Sequence, residues 1–158
     1  MRRTLQAATA VWTGPRGRAA VAAVLRWDES EKPRSARRGP RTVVRRLRQR
    51  DPVPPAYRAL LLALWEARRL GARALTLSTD DADVVAQLLG TAPPAPEAVG
   101  AYLQVRALLN AFRSVAIDCR TAADDPDTAG ATAGAASALD PAAVGCSDLP
   151  LWTAAAVT

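Results

Sequence analysis

The sequence predicts an α/β domain, a five-stranded mixed sheet flanked by helices, and three observations carry that prediction. The first fifty residues read as strand-like stretches, with period-two alternation clearest at Thr42 to Arg50, and apolar residues recur with a period of 3.6 from Pro54 onward. Two short apolar runs, Ala74 to Ser78 and Val115 to Cys119, interrupt the helical part, which gives the order strand, strand, strand, helix, strand, helix, helix, strand, helix. A length of 158 residues suits one domain with a sizeable core rather than two. The domain is expected over residues 1–139, with 140–158 as a C-terminal tail.

Thr4 to Trp12 and Ala19 to Trp27 read as a hairpin, joined through the turn cluster Thr13, Gly14 and Pro15 and the basic link Arg16 to Arg18. A linker from Glu31 to Arg41, with Pro33, Gly39 and Pro40, lacks periodicity. Thr42 to Arg50 then alternates again, with Val43 and Leu47 on one side and Arg46, Arg48 and Arg50 on the other, as in a half-solvated third strand. Tyr57, Leu60, Leu61, Leu64, Ala67 and Leu70 form one helical stripe, with Pro55 suited to a first turn and Gly71 to a C-terminal cap. After the strand at Ala74 to Ser78 come a short helix from Asp81 to Leu89 closed by Gly90, a connector from Thr91 to Pro96 with three prolines, and an amphipathic helix from Glu97 to Phe112. Val115 to Cys119 is the last strand, with Cys119 expected as a buried thiol. Asp125, Pro126 and Asp127 open an alanine-rich final helix that runs to Leu139.

Composition excludes several kinds of chemistry. With no histidine and two widely separated cysteines, the chain offers no zinc, haem or Cys-His constellation. No apolar run approaches the roughly 20 residues of a membrane span, and the stretch after Arg2 and Arg3 ends too early at Thr13 to Arg16 for an export segment, so a cytoplasmic setting with no membrane partner is expected. Charge is strongly divided. Residues 1–50 carry 14 Arg or Lys against three acids, whereas residues 51–158 carry seven against twelve. A basic N-terminal third raises the expectation of a polyanionic partner, because neutralising phosphates releases counterions.

The segments YRALLLAL, LTLSTDDADVVAQLLG and YLQVRALLNAF, in this order and spacing, resemble ribonuclease H-like domains (ribonuclease HI and reverse-transcriptase-like) in a degenerate, bacterial-looking member. The resemblance covers Thr4 to Leu139 and implies the ribonuclease H fold. It also implies four metal-binding carboxylates, of which two have counterparts here. Asp80 matches the aspartate ending the fourth strand, ahead of Val84, Val85, Gln87 and Leu88. Asp127, seven residues after Arg120, matches the aspartate of the last helix. The first-strand aspartate should fall between Ala7 and Val11, yet no acid precedes Asp28, and Ala56 stands where the helix glutamate belongs.

Two-metal phosphodiester hydrolysis holds a pair of cations about 4 Å apart, and Mg²⁺ demands near-octahedral oxygen ligands. The resemblance therefore implies a domain with no catalytic set, requiring no cofactor, with weak Mg²⁺ binding at Asp80 and Asp127 at most, in which binding of RNA or an RNA/DNA hybrid outlives hydrolysis. Either aspartate can instead serve its helix, Asp80 as a cap and Asp127 as a complement to the helix dipole.

The expected nucleic-acid surface comprises Trp12, Arg16, Arg18, Arg37, Arg38, Arg41, Arg46, Arg48 and Arg50, with Trp27 and Trp65 in the core. Charged edge strands also guard against aggregation, which is the other reading of Arg46, Arg48 and Arg50. Two alternatives stay open. One is an interaction scaffold whose arginines meet an acidic protein; the other is a working nuclease that recruits different ligands among Asp28, Asp51 and Asp118.

Overall fold

The computed structural model describes residues 4–28 and 39–139; Arg37, Arg38 and the tail from residue 140 lie outside them. Strands β1 (Thr4–Thr13) and β2 (Ala19–Trp27) form the expected hairpin, paired antiparallel from Leu5 opposite Trp27 to Thr13 opposite Ala19. Arg16 and Gly17 both take left-handed backbone in the connecting turn, with φ of 62° and 69°. Glycine adopts this without cost, whereas an arginine does so only when neighbours hold it. Here Gln49 donates from its side-chain amide to the Arg16 carbonyl at 3.2 Å.

Strand β3 (Arg41–Arg46) pairs antiparallel with β2 and ends four residues earlier than its alternation suggests. The reason is the length of β2. Arg46 lies opposite Ala20, the Leu47 amide takes the Ala19 carbonyl, and beyond Ala19 no strand remains to pair with. The chain then turns, the Asp51 amide donating to the Arg48 carbonyl.

Helix α1 (Pro55–Arg69) is followed by β4 (Ala74–Thr79), α2 (Ala82–Leu89), α3 (Val99–Leu109), β5 (Ser114–Cys119) and α4 (Pro126–Leu139). Helix α3 is shorter than the stripe from Glu97 to Phe112. Pro96 to Ala98 form a separate tight turn, and the amides of Ala111 and Phe112 bond three residues back, which ends the α-helical ladder. The sheet order is β3-β2-β1-β4-β5, with β4 parallel to β1 and β5 parallel to β4, a five-stranded mixed sheet as predicted.

The two faces of the sheet are covered differently. Leu5, Ala7, Ala23, Leu25, Leu75 and Leu77 bury one face under Tyr57, Leu60, Leu64, Val84, Leu88, Val105 and Leu109 from α1, α2 and α3. Ala10, Ala20, Ala22 and Val24 bury the other under Ala131 and Ala135 of α4. Small residues bring this last helix close. A Cβ at Gly134 would meet Val44 Cγ2 at 3.3 Å and Thr42 Cγ2 at 3.4 Å.

Two expectations fail on exposure. Trp65 is 57% exposed on the outer side of α1 rather than in the core, because the buried stripe of Leu60, Leu61, Leu64 and Ala67 already fills the sheet-facing side. Cys119 is a free, exposed thiol, since it ends an edge strand in which Val115 and Ile117 supply the packing. Trp27 does pack against the larger core. Among the described residues no helix is long and apolar enough to cross a membrane.

Candidate functional site

The register of β1 against β4 sets what stands at the site. Thr9 lies opposite Thr79, so Asp80 follows one residue beyond that pair, where β4 ends and β1 runs on unpaired on that side. Thr9 is the single polar residue between Ala7 and Val11. It is fully buried, and its hydroxyl donates to the Ser78 carbonyl at 3.2 Å. A buried alcohol satisfied by backbone thus occupies the stretch of strand where the resemblance calls for a carboxylate. Ala56, in the first turn of α1, is half-buried and packs its methyl against the larger core, offering no ligand either.

Asp80 is exposed and does not cap α2. The cap is Asp81, whose carboxylate accepts from the Val84 amide at 3.1 Å, while Thr79 Oγ1 accepts from the Asp81 amide at 3.3 Å. The Asp80 carboxyl lies above the ordinary carboxylate range. Partial desolvation is the main cause, a backbone hydrogen bond opposes it, and the neighbouring Asp81 charge adds to it.

Asp127 is buried, and an ion pair with Arg26 of β2 occupies its carboxylate. The capping of α4 falls to Asp125, which accepts from the Thr128 amide at 3.0 Å and from its hydroxyl at 2.8 Å. Among the described residues no three Asp, Glu, Cys or His side chains gather where they could hold a metal ion. A donor set with Thr9 and Ala56 at two positions and an arginine on a third does not fit a pair of divalent cations.

The basic residues divide between two places. Trp12, 43% exposed, shares a row with Ala20 and Arg46 at the hairpin end of the sheet. Arg16, Arg18, Arg48 and Arg50 are exposed at that same end, where Gln49 ties the two loops together. Arg46 donates from Nε to the Ala138 carbonyl and so closes the C-terminal end of α4. Arg41 lies elsewhere, in the row of Leu25 and Ala7, and its guanidinium pairs with Glu66 of α1 at 3.3 Å. The first-turn side of α1 carries one further tie. Arg58 grips Asp51 with two hydrogen bonds of 2.8 Å, and this holds the Asp51 carboxyl below its ordinary range.

Sequence reasoning missed several residues that shape this region. Arg26 sits in an otherwise apolar strand pattern, and its single charge was the available signal. The Tyr57 hydroxyl donates to Gln87 Oε1 and joins α1 to α2; nothing in the spacing of these residues announces that contact.

Residues 8–120 match the family model described as reverse transcriptase-like. No curated protein matches the chain in sequence. Among solved structures, the chain is similar to RNase H1 from the halophilic archaeon Halobacterium salinarum, with 24% identity, a TM-score of 0.70, and coverage of 87% of this chain and 98% of that one. It is similar to the N-terminal RNase H domain of a Mycobacterium tuberculosis protein, with 22% identity, a TM-score of 0.68, and coverage of 92% and 99%. A third similar structure is LC11-RNase H1 in complex with an RNA/DNA hybrid, with 12% identity, a TM-score of 0.65, and coverage of 86% and 99%. At these identities the likeness is one of fold.

Proposed function

Because the chain belongs to the reverse transcriptase-like family, as a ribonuclease H-like domain, we propose that it binds RNA or an RNA/DNA hybrid without cutting it. The observation that carries this reading is the state of the carboxylate positions. A buried threonine and an alanine replace two, the third is paired with Arg26, and Asp80 alone stands free. One exposed carboxylate holds Mg²⁺ through its waters at best, and hydrolysis needs more than that.

The binding surface on this reading is the hairpin end: Arg16, Arg18, Arg48 and Arg50 track a phosphate backbone, with Trp12 as a stacking ring for an unpaired RNA base or the open end of a hybrid. Support comes from their common exposure at the end of the sheet where Asp80 stands. The LC11 enzyme, of the same fold, is solved with an RNA/DNA hybrid.

Fluorescence anisotropy of a labelled RNA/DNA hybrid over a salt series with Mg²⁺, followed by sizing of the RNA strand, tests both halves. Salt-sensitive binding with intact RNA is expected. Cleavage that disappears in Asp80→Asn overturns the non-catalytic half, and absence of binding at low salt overturns the whole.

A further inference from the structure

We propose that the end of the molecule away from the hairpin carries a second docking surface, centred on Trp65, that takes single-stranded nucleic acid. It goes beyond the reading above and uses none of the hairpin-end residues. Trp65 is a large aromatic ring 57% exposed on a helix whose apolar side is already satisfied, and such a ring is free to meet a partner. The Arg68 guanidinium lies over it, 5.9 Å from the ring centroid. This leaves the ring flanked by positive charge.

The topology gathers more charge around it. Helix α1 ends in Arg68 and Arg69, and the left-handed turn at Gly71 (φ 75°) delivers Arg73 to the start of β4. The Arg113 amide donates to the Arg73 carbonyl at 2.8 Å, so β5 begins beside β4 with a second exposed arginine. From the far side Arg41 reaches Glu66 at 3.3 Å, and Glu66 also holds Arg69 at 3.0 Å. Five arginines thus lie at the end of the fold that carries the ring, Arg41 and Arg69 of them paired with Glu66, and among the described residues Glu66 and Asp28 are the acids there. Among the described residues, Asp80, Asp81, Asp83 and Asp118 lie at the far ends of β4 and β5 or on α2, and Asp124, Asp125 and Asp127 around the start of α4.

Charge of this sign calls for a polyanion, and the ring decides which. A base pair inside a duplex keeps its faces stacked on its neighbours, whereas an unpaired base presents a face to an exposed indole, and guanidinium groups on either side meet the flanking phosphates.

The test is anisotropy of a labelled twelve-residue oligo(dT) over a salt series, with circular dichroism of each variant. Trp65→Ala is expected to weaken binding about tenfold, the loss of one stacked base, while Trp65→Phe keeps most of the affinity. Arg68→Ala combined with Arg73→Ala lowers the salt slope by about two. Arg16→Ala with Arg48→Ala weakens hybrid binding more than oligo(dT) binding, whereas Trp65→Ala does the reverse, so the two surfaces fail separately. Parent-like binding by Trp65→Ala overturns the proposal. So does displacement of the oligonucleotide by poly-glutamate at equal charge concentration, which marks the patch as a surface for acidic protein.

Discussion

Arg26 on β2 and Asp127 in the first turn of α4, 101 residues apart in sequence, are joined side chain to side chain, and the pair ties the last helix to the hairpin. Asp127 is buried while the Arg26 side chain stays 41% exposed, and Arg26 Nε is buried with no partner among the described residues. Removing the carboxylate leaves a guanidinium already short of acceptors.

Asp127→Ala is therefore expected to cost about 1–2 kcal/mol, towards the low end for a charged hydrogen bond because the arginine retains water. Thermal unfolding should show this as a fall of roughly 2–8 °C for a domain of this size. Hybrid affinity with and without Mg²⁺ should not move. A variant of parental stability that has lost a Mg²⁺-dependent part of its binding would instead make Asp127 a metal ligand.

Asp80 gives a pH prediction of opposite character. Its folded carboxyl binds its proton more tightly than an unfolded one, so the native state is favoured while Asp80 is protonated and loses that advantage as pH rises through the raised value. Asp80→Asn should match the parent near pH 3 and be equal or slightly more stable at pH 7, by less than about 1 kcal/mol after solvent screening. Urea unfolding at the two pH values reads the difference. A variant less stable at neutral pH would mean that the carboxylate has a cationic partner.

The mutually consistent parts of the fold were legible in the sequence. Both strands of the hairpin, the stripe of α1 and the cap at Gly90 are local patterns, and the residues that make each pattern lie within a few positions of one another. The failures are tertiary. Trp65 looks like a core residue until Leu60 and Leu64 are seen to fill the sheet-facing side, and Arg48 and Arg50 continue an alternation that β2 is too short to pair. At the site, the absence of an acid before Asp28 was readable in one glance. That Asp81 rather than Asp80 caps α2 depends on where the backbone turns, and adjacent aspartates look alike in sequence. The grouping of Arg41 with the hairpin arginines failed similarly, since it faces α1 and Glu66.

The two glycines of α4 should respond to alanine with opposite signs. At Gly130 a new Cβ would meet only Val24 Cγ2 at 3.7 Å, ordinary contact, so Gly130→Ala should stabilise by up to about 1 kcal/mol through helix propensity. At Gly134 the new methyl crowds Val44 and Thr42 on an edge strand, and the repulsion outweighs the same gain. Chemical denaturation should order them Gly130→Ala, parent, Gly134→Ala. A stabilising Gly134→Ala would show that β3 yields to the helix.

Arg46 and Arg48 lie two residues apart, and the structure separates what their loss should do. Arg46 donates to the Ala138 carbonyl, an acceptor at the negative end of α4, so Arg46→Ala should lower stability by about 0.5–1 kcal/mol. Arg48 is exposed beyond the end of β3, and Arg48→Ala should leave unfolding unchanged. Hybrid binding should respond the other way round. Each phosphate contact contributes close to one to the slope of log affinity against log salt, so losing Arg48 should lower that slope by about one, whereas Arg46→Ala should keep it while the domain stays folded. Equal slopes for Arg48→Ala and parent would remove Arg48 from the phosphate-tracking surface. A slope reduced in Arg46→Ala would mean that its guanidinium leaves Ala138 for phosphate when nucleic acid is present, and that binding loosens the end of α4.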